Sequence, residues 1–192
     1  VIRTAYDQMA ESRRDGITGA LLNILNAVCR LYLTVIRGTP TMVQLLLMFF
    51  VFLASSNNKV MVAILTFGIN SGAYVAEIFR SGIMSIDKGQ MEAGRSLGLS
   101  YPVTMQKIIL PQAIKNVLPA LVNEMITLLK ETSICGYIGL NELTRGGDII
   151  RGNTFEALLP LLAVAAIYLI IVMFFTWVMG KLERRLRESD NR

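Results

Sequence analysis

Gln90-Met91-Glu92-Ala93-Gly94-Arg95-Ser96-Leu97-Gly98, running on to Ile108-Ile109-Leu110-Pro111, is a polar stretch set between strongly apolar segments. Asp87, with Gln90 three residues later, forms a capping-box pattern for a helix start. Gly98 supplies a left-handed stop, and Ser100 with Pro102 supplies the start of a second short helix. The spacing therefore predicts a helix-turn-helix elbow, two short helices and not one continuous rod. An elbow of this kind between apolar segments suits a surface that another protein grips.

Outward from the elbow the chain is membrane-like. It has 192 residues, 53% of them hydrophobic, and a mean hydropathy of +0.51, more apolar than a soluble domain. No charged residue lies between Glu156 and Lys181, a run that crosses a hydrocarbon core of about 30 Å at roughly 1.5 Å per residue. Gly38 to Asn58 and Val60 to Ala76 read as two further spans, a helical hairpin joined by Ser55-Ser56-Asn57-Asn58. Ile108 to Leu129 is interrupted by Lys115 and Glu124, yet Asn116, Asn123, Thr127 and Glu131 fall on one helical stripe. That pattern predicts a span with one wet or buried face. Pro111 suits its first turn, and Pro119 kinks its middle unless neighbours satisfy the freed carbonyl.

Residues 17 to 37 carry Asn23, Asn26, Arg30, Thr34 and Arg37 opposite Leu21, Leu25, Val28 and Tyr32. This reads as an amphipathic helix on the cytoplasmic surface, with a tilted extra span as the alternative. Arg3, Arg13 and Arg14 at the start, Lys88, Arg95 and Lys107 in the elbow, and Lys181, Arg184, Arg185, Arg187 and Arg192 at the end make these regions cytoplasmic. Lys59, Arg145 and Arg151 fall on the other side. The expected fold is thus all-α, a polytopic membrane helix bundle of about four spans, with the elbow between the second and third and both ends cytoplasmic. Residues 1–192 form one transmembrane domain in this reading.

Several chemistries are excluded. The chain has no His, and its two cysteines, Cys29 and Cys135, are isolated, so metal sites of the usual kind and His-based triads or proton relays are not expected. It has no Gly-x-x-x-x-Gly-Lys-Ser/Thr element, so it does not hydrolyse nucleotide by a P-loop, and any ATP must be handled by a partner. The net charge of +5 is accounted for by the cytoplasmic lysines and arginines, and no nucleic-acid face is visible.

Glu92-Ala93-Gly94, three residues, Gly98, nine residues, then Ile108-x-Leu110-Pro111 resembles the coupling motif of binding-protein-dependent ABC transporter permeases. Gly94 departs from it, since the family usually has a second Ala there. Arg37-Gly38-Thr39-Pro40 with Val43-Gln44, and Lys130-Glu131-Thr132-Ser133, resemble segments of the polar amino acid permeases of that superfamily. The resemblance implies a non-catalytic permease subunit of the inner membrane. Its implied partners are cytoplasmic ATP-binding subunits that hold ATP and Mg, a second permease subunit, identical or not, and an extracytoplasmic solute-binding protein. Glu92, Ala93, Gly94, Gly98, Leu110 and Pro111 would dock the ATPase. Family members of this type commonly have five spans, so an N-terminal span is expected to be missing from this chain.

Other residues leave two readings open. Gly68, Gly72 and Ala76 form a small-residue ridge for helix packing, within the subunit or between subunits. Asn70, Tyr74 and Glu77 occupy roughly the opposite face. Glu77 either pairs with Arg80 or meets the amino group of a solute. Asn123, Thr127 and Glu131 are path candidates or interhelical glue. The glycine-rich segment from Ile134 to Phe155 is a lid, a re-entrant helix capped by Asn141, or a connector. The competing function is an ion-coupled carrier or channel using Glu77 and Glu124 without an ATPase.

Overall fold

The computed structural model describes residues 17–188, which contain helices and no strand. Arg3, Arg13, Arg14 and Arg192, read above as cytoplasmic, lie outside the described residues, as do the side chains of Arg184, Arg185 and Arg187. Helix α1 spans Ile17–Gly38 and breaks at Thr39-Pro40. The break falls there because Thr39, the residue before proline, avoids the helical region, and Pro40, in an extended conformation, precedes α2, Thr41–Leu47. A π turn, Met48–Phe52, continues α2. Next come α3, Lys59–Met84, and the elbow: α4, Lys88–Ser96, and α5, Tyr101–Thr104. A second π turn, Met105–Ile109, leads into α6, Leu110–Glu131. A 3-10 segment, Thr132–Ile138, precedes α7, Leu143–Thr154, and α8, Leu158–Glu188.

Among the described residues, three helices are long and apolar enough to cross a membrane: residues Gly19–Gly38, Lys59–Met84 and Leu158–Lys181. α6 has the length, with 22 residues, and carries Lys115, Glu124 and Lys130. The hairpin differs from expectation. Its first arm, Thr41–Phe52, covers only about 18 Å at 1.5 Å per residue, and its second runs on through Glu77 and Arg80 to Met84. Asn58 starts that arm by accepting from the Met61 amide at 3.0 Å. The cap of α7 is also not Asn141: the Glu142 carboxylate accepts from both the Thr144 and Arg145 amides, at 2.7 and 2.6 Å, satisfying two of the unpaired donors of a helix start.

The chain divides into two compact units. One holds the chain through Gly38 with Ala73–Leu121, and the other holds Thr39–Gly72 with the chain from Val122. In the first unit Ile109 of the second π turn and Ala113 and Val117 of α6 are buried, and Gly82 of α3 lies so close to the Val117 side chain that no Cβ fits. In the second, Leu45, Ala63, Phe67, Cys135 and Ile138 form the core. The predicted ridge is exposed: Gly68, Gly72 and Ala76 all face outward, and nothing lies within 4 Å of a Cβ built on Gly68. Exposure leaves the ridge to contacts between subunits; close packing within the chain falls at Gly82 and at Gly147, where Val164 of α8 approaches to 2.5 Å of the added Cβ.

Candidate functional site

The elbow is built by local rules. Asp87 accepts from the Gly89 amide at 2.6 Å and starts α4. The helix ends on Gly98 at φ +80°, with the Leu99 amide donating to the Gly94 carbonyl at 3.1 Å and the Gly98 amide to Arg95 at 3.0 Å. This paired closure is the usual glycine stop, which a Cβ would strain. Glu92 and Ala93 are exposed, and Leu97 is 81% exposed, whereas Gly94 is buried. A Cβ on Gly94 would sit 2.5 Å from the Thr104 methyl and 3.2 Å from Ile108. Thr104 is fully buried and its hydroxyl donates to the Ser100 carbonyl at 3.1 Å. The departure at Gly94 therefore has a physical reason: Thr104 occupies the space an alanine methyl would need.

The second arm of the elbow does differ from its expected form. α5 is not a separate short helix; it passes through the π turn directly into α6. Pro111 has no amide to donate, and the wider turn immediately before it accommodates its ring. The Gln112 side chain donates to the Ile108 carbonyl at 2.8 Å, and the helix continues through Pro119. A cavity of about 340 Å³ lies under the elbow, its walls including Met84, Asp87, Met91, Glu92, Tyr101 and Ile109. Burial raises the Tyr101 pKa above its ordinary value, so its hydroxyl is neutral here.

The path candidates separate. In the first unit Glu77 accepts from Arg80 at 2.6 Å and lies 3.9 Å from Arg37, whose guanidinium stands 5.5 Å from the centre of the Tyr74 ring. The ion pair between Glu77 and Arg80 anticipated from the sequence is formed. Asn116 donates to Ser85 at 2.9 Å. In the second unit Asn70 is buried and donates to Gln44 at 2.9 Å, and Gln44 in turn donates to the Thr39 hydroxyl at 2.8 Å. Ser71 donates to Glu124 at 3.0 Å. Asn123 and Thr127 are exposed and Glu131 is half-buried. Gln44, quoted above only within the Arg37–Gln44 segment, and Ser71 were not anticipated as the partners of Asn70 and Glu124. The signal for Gln44 was its place four residues after Pro40, on the first turn of a span.

These features define a class: an all-α, multi-pass membrane protein whose exposed helix-turn-helix is locked to the helix that follows it. Residues 16–188 match the family described as binding-protein-dependent transport system inner membrane component. The chain belongs to that family, the permease subunits of ABC importers, which implies an ATPase partner. It is 37% identical over 191 residues to the arginine transport system permease protein ArtQ of Bacillus subtilis (strain 168), covering 92% of this chain and 87% of the relative. It is 42% identical over 168 residues to the glutamine transport system permease protein GlnP of Escherichia coli (strain K12), covering 85% and 77%. A chain in the crystal structure of an amino acid ABC transporter with histidines matches with TM-score 0.79 at 44% identity, covering 85% of this chain and 77% of that one. The MetNI methionine ABC transporter in an inward-facing conformation matches with TM-score 0.69 at 19% identity, covering 87% and 76%, a likeness of fold.

Proposed function

We propose that this chain is the permease subunit of an ATP-driven importer of polar amino acids, both of its ends lying in the cytoplasm. Glu92, Ala93, Gly94, Gly98, Leu110 and Pro111 form the elbow that docks a cytoplasmic ATPase, which holds the ATP and Mg; this chain contributes no cofactor and no covalent chemistry. A second permease subunit completes the pathway, and an extracytoplasmic solute-binding protein delivers the amino acid. The observation that carries this reading is the elbow itself. Its exposed Glu92 and Ala93 face sits on a backbone held rigid by the Gly94 contact and the Gly98 stop.

Rigidity matters because ATP favours one state of the ATPase, and that preference shifts the permease only if displacement is passed on without being absorbed. Substrate selection would fall to Asn70, Asn123, Thr127 and Glu131, with Tyr74 and Glu77 in the other unit. Donors and acceptors there replace the water that a zwitterion loses on entry. The names of the relatives and the histidine-containing structure support an amino acid. Purification of the chain with its ATPase, followed by reconstitution into proteoliposomes, tests the proposal: binding protein loaded with amino acid should stimulate ATP hydrolysis and uptake together. Uptake that proceeds without nucleotide would instead support an ion-coupled carrier.

A further inference from the structure

α1 has three faces. Leu21, Ile24, Val28, Leu31 and Val35 are exposed apolar residues at helical spacing, a face for lipid. Asn26 and Leu33 are buried. Between these faces runs an exposed polar strip containing Arg30, Thr34 and Arg37, spaced so that all three share one side of the helix.

The strip opens onto a crevice of about 480 Å³ lined by Arg30, Leu33, Thr34, Arg37, Gly38 and Glu77. Two guanidinium groups and a hydroxyl thus face one carboxylate. That carboxylate is already engaged by Arg80 at 2.6 Å, with Arg37 at 3.9 Å. Arg37 stands in the last turn of α1, where its charge also complements the helix carbonyls. Arg30 lies about two turns earlier, beyond the reach of that effect, and no ion pair within the described residues accounts for it.

We propose that this crevice holds the phosphate of an anionic phospholipid, gripped by Arg30, Thr34 and Arg37. Guanidinium groups form paired hydrogen bonds to phosphate oxygens, the threonine hydroxyl between them adds a donor, and a Cβ built on Gly38 would meet nothing within 4 Å, leaving room for the headgroup. The adjoining lipid face places acyl chains beside the crevice, an arrangement that suits a lipid better than a free anion. The inference rests on the membrane embedding of the chain and not on its solute.

The test is native mass spectrometry of the intact complex titrated with phosphatidylglycerol or phosphatidylcholine. Phosphatidylglycerol should be retained preferentially, and Arg30→Gln should weaken retention about fivefold, the effect of one basic residue near an anionic surface. Arg30→Lys should keep most of it, and Arg151→Gln, whose guanidinium pairs with Asp148, should leave it unchanged. Equal retention by the wild type and Arg30→Gln would overturn the assignment. So would displacement of the lipid by inorganic phosphate, which assigns the crevice to the free ion, or by the transported amino acid, which assigns it to the solute path. A complex that retains lipid in this pattern yet shows no ATP-driven uptake would sink the proposed function and leave the lipid site standing.

Discussion

Replacing Gly94 by alanine tests whether the elbow is locked to the helix behind it. The new methyl would meet the Thr104 methyl at 2.5 Å and Ile108 at 3.2 Å. Threonine is stiff about its first side-chain torsion, and turning it away would break the hydroxyl bond to the Ser100 carbonyl. Overpacking of this kind costs about 1–3 kcal/mol, whereas alanine gains about 1 kcal/mol over glycine in a helix interior. The single variant should therefore lose roughly 0–2 kcal/mol, the difference of those two terms.

Thr104→Ser removes the obstructing methyl and keeps the hydroxyl. Alone it should cost about 1 kcal/mol for one buried methyl. Combined with Gly94→Ala it should rescue, giving a coupling energy of roughly 1–3 kcal/mol between the two sites. Reversible unfolding of the chain in mixed micelles, titrated with dodecyl sulfate, measures all four corners of the cycle. Uptake per ATP hydrolysed, measured in proteoliposomes on the same four proteins, should follow the same order. A coupling energy within about 0.5 kcal/mol of zero, the scatter of independent sites, would refute the argument that Thr104 makes Gly94 necessary.

Gly98→Leu places a side chain at φ +80° and should cost about 1–2 kcal/mol. ATP hydrolysis should then persist while uptake falls, and Gly98→Asn should be milder; unchanged transport in vesicles would count against the coupling role. Gln44→Leu strips the acceptor from buried Asn70 and should destabilise by about 1–3 kcal/mol, with the added Asn70→Leu recovering part of the loss in the same unfolding titration. Glu142→Ala removes a cap shared by two amides. Hydrogen exchange should accelerate in the first turn of Leu143–Thr154, consistent with a loss of about 1 kcal/mol. Substituting exposed Asn123 or Thr127 should alter solute selectivity more than ATPase docking, checked by competition uptake assays with a panel of amino acids.

Most of the elbow was legible because its determinants are local. Asp87, Gly98, Ser100 and Pro102 each act within a few residues, and capping rules need no knowledge of distant neighbours. The tight contact at Gly94 was not legible, since it depends on which side chain of the following helix lies opposite. The same limit explains the ridge. Periodicity groups Gly68, Gly72 and Ala76 on one face but does not say what covers that face; within the unit the close interhelical contact is at Gly82, and the exposed ridge is left to packing between subunits. The polar stripe of α6 shows a related limit. Spacing gathered Asn116 with Asn123 and Thr127, but Ser85 takes Asn116 while Ser71 takes Glu124 from beside the stripe. The amphipathic pattern of residues 17–37 did foretell a helix with distinct lipid and polar faces, although its apolarity also meets the requirement for crossing.

Where the elbow could yield follows from the same geometry. α4 is tied to the following helical run at Gly94, Thr104 and Ile108, and its stop at Gly98 is closed by two backbone hydrogen bonds. The turn between α4 and α5 therefore offers little compliance. The π turn Met105–Ile109 is different, because its wider hydrogen-bond ring is followed at once by Pro111, which has no amide to restore the regular ladder. A force applied at Glu92 would thus turn α4 and α5 as one piece, and any bending would concentrate at Met105–Ile109. On the proposed docking, Leu110 and Pro111 stand where that bending would enter α6, a mechanical role that adds to their place in the docking elbow.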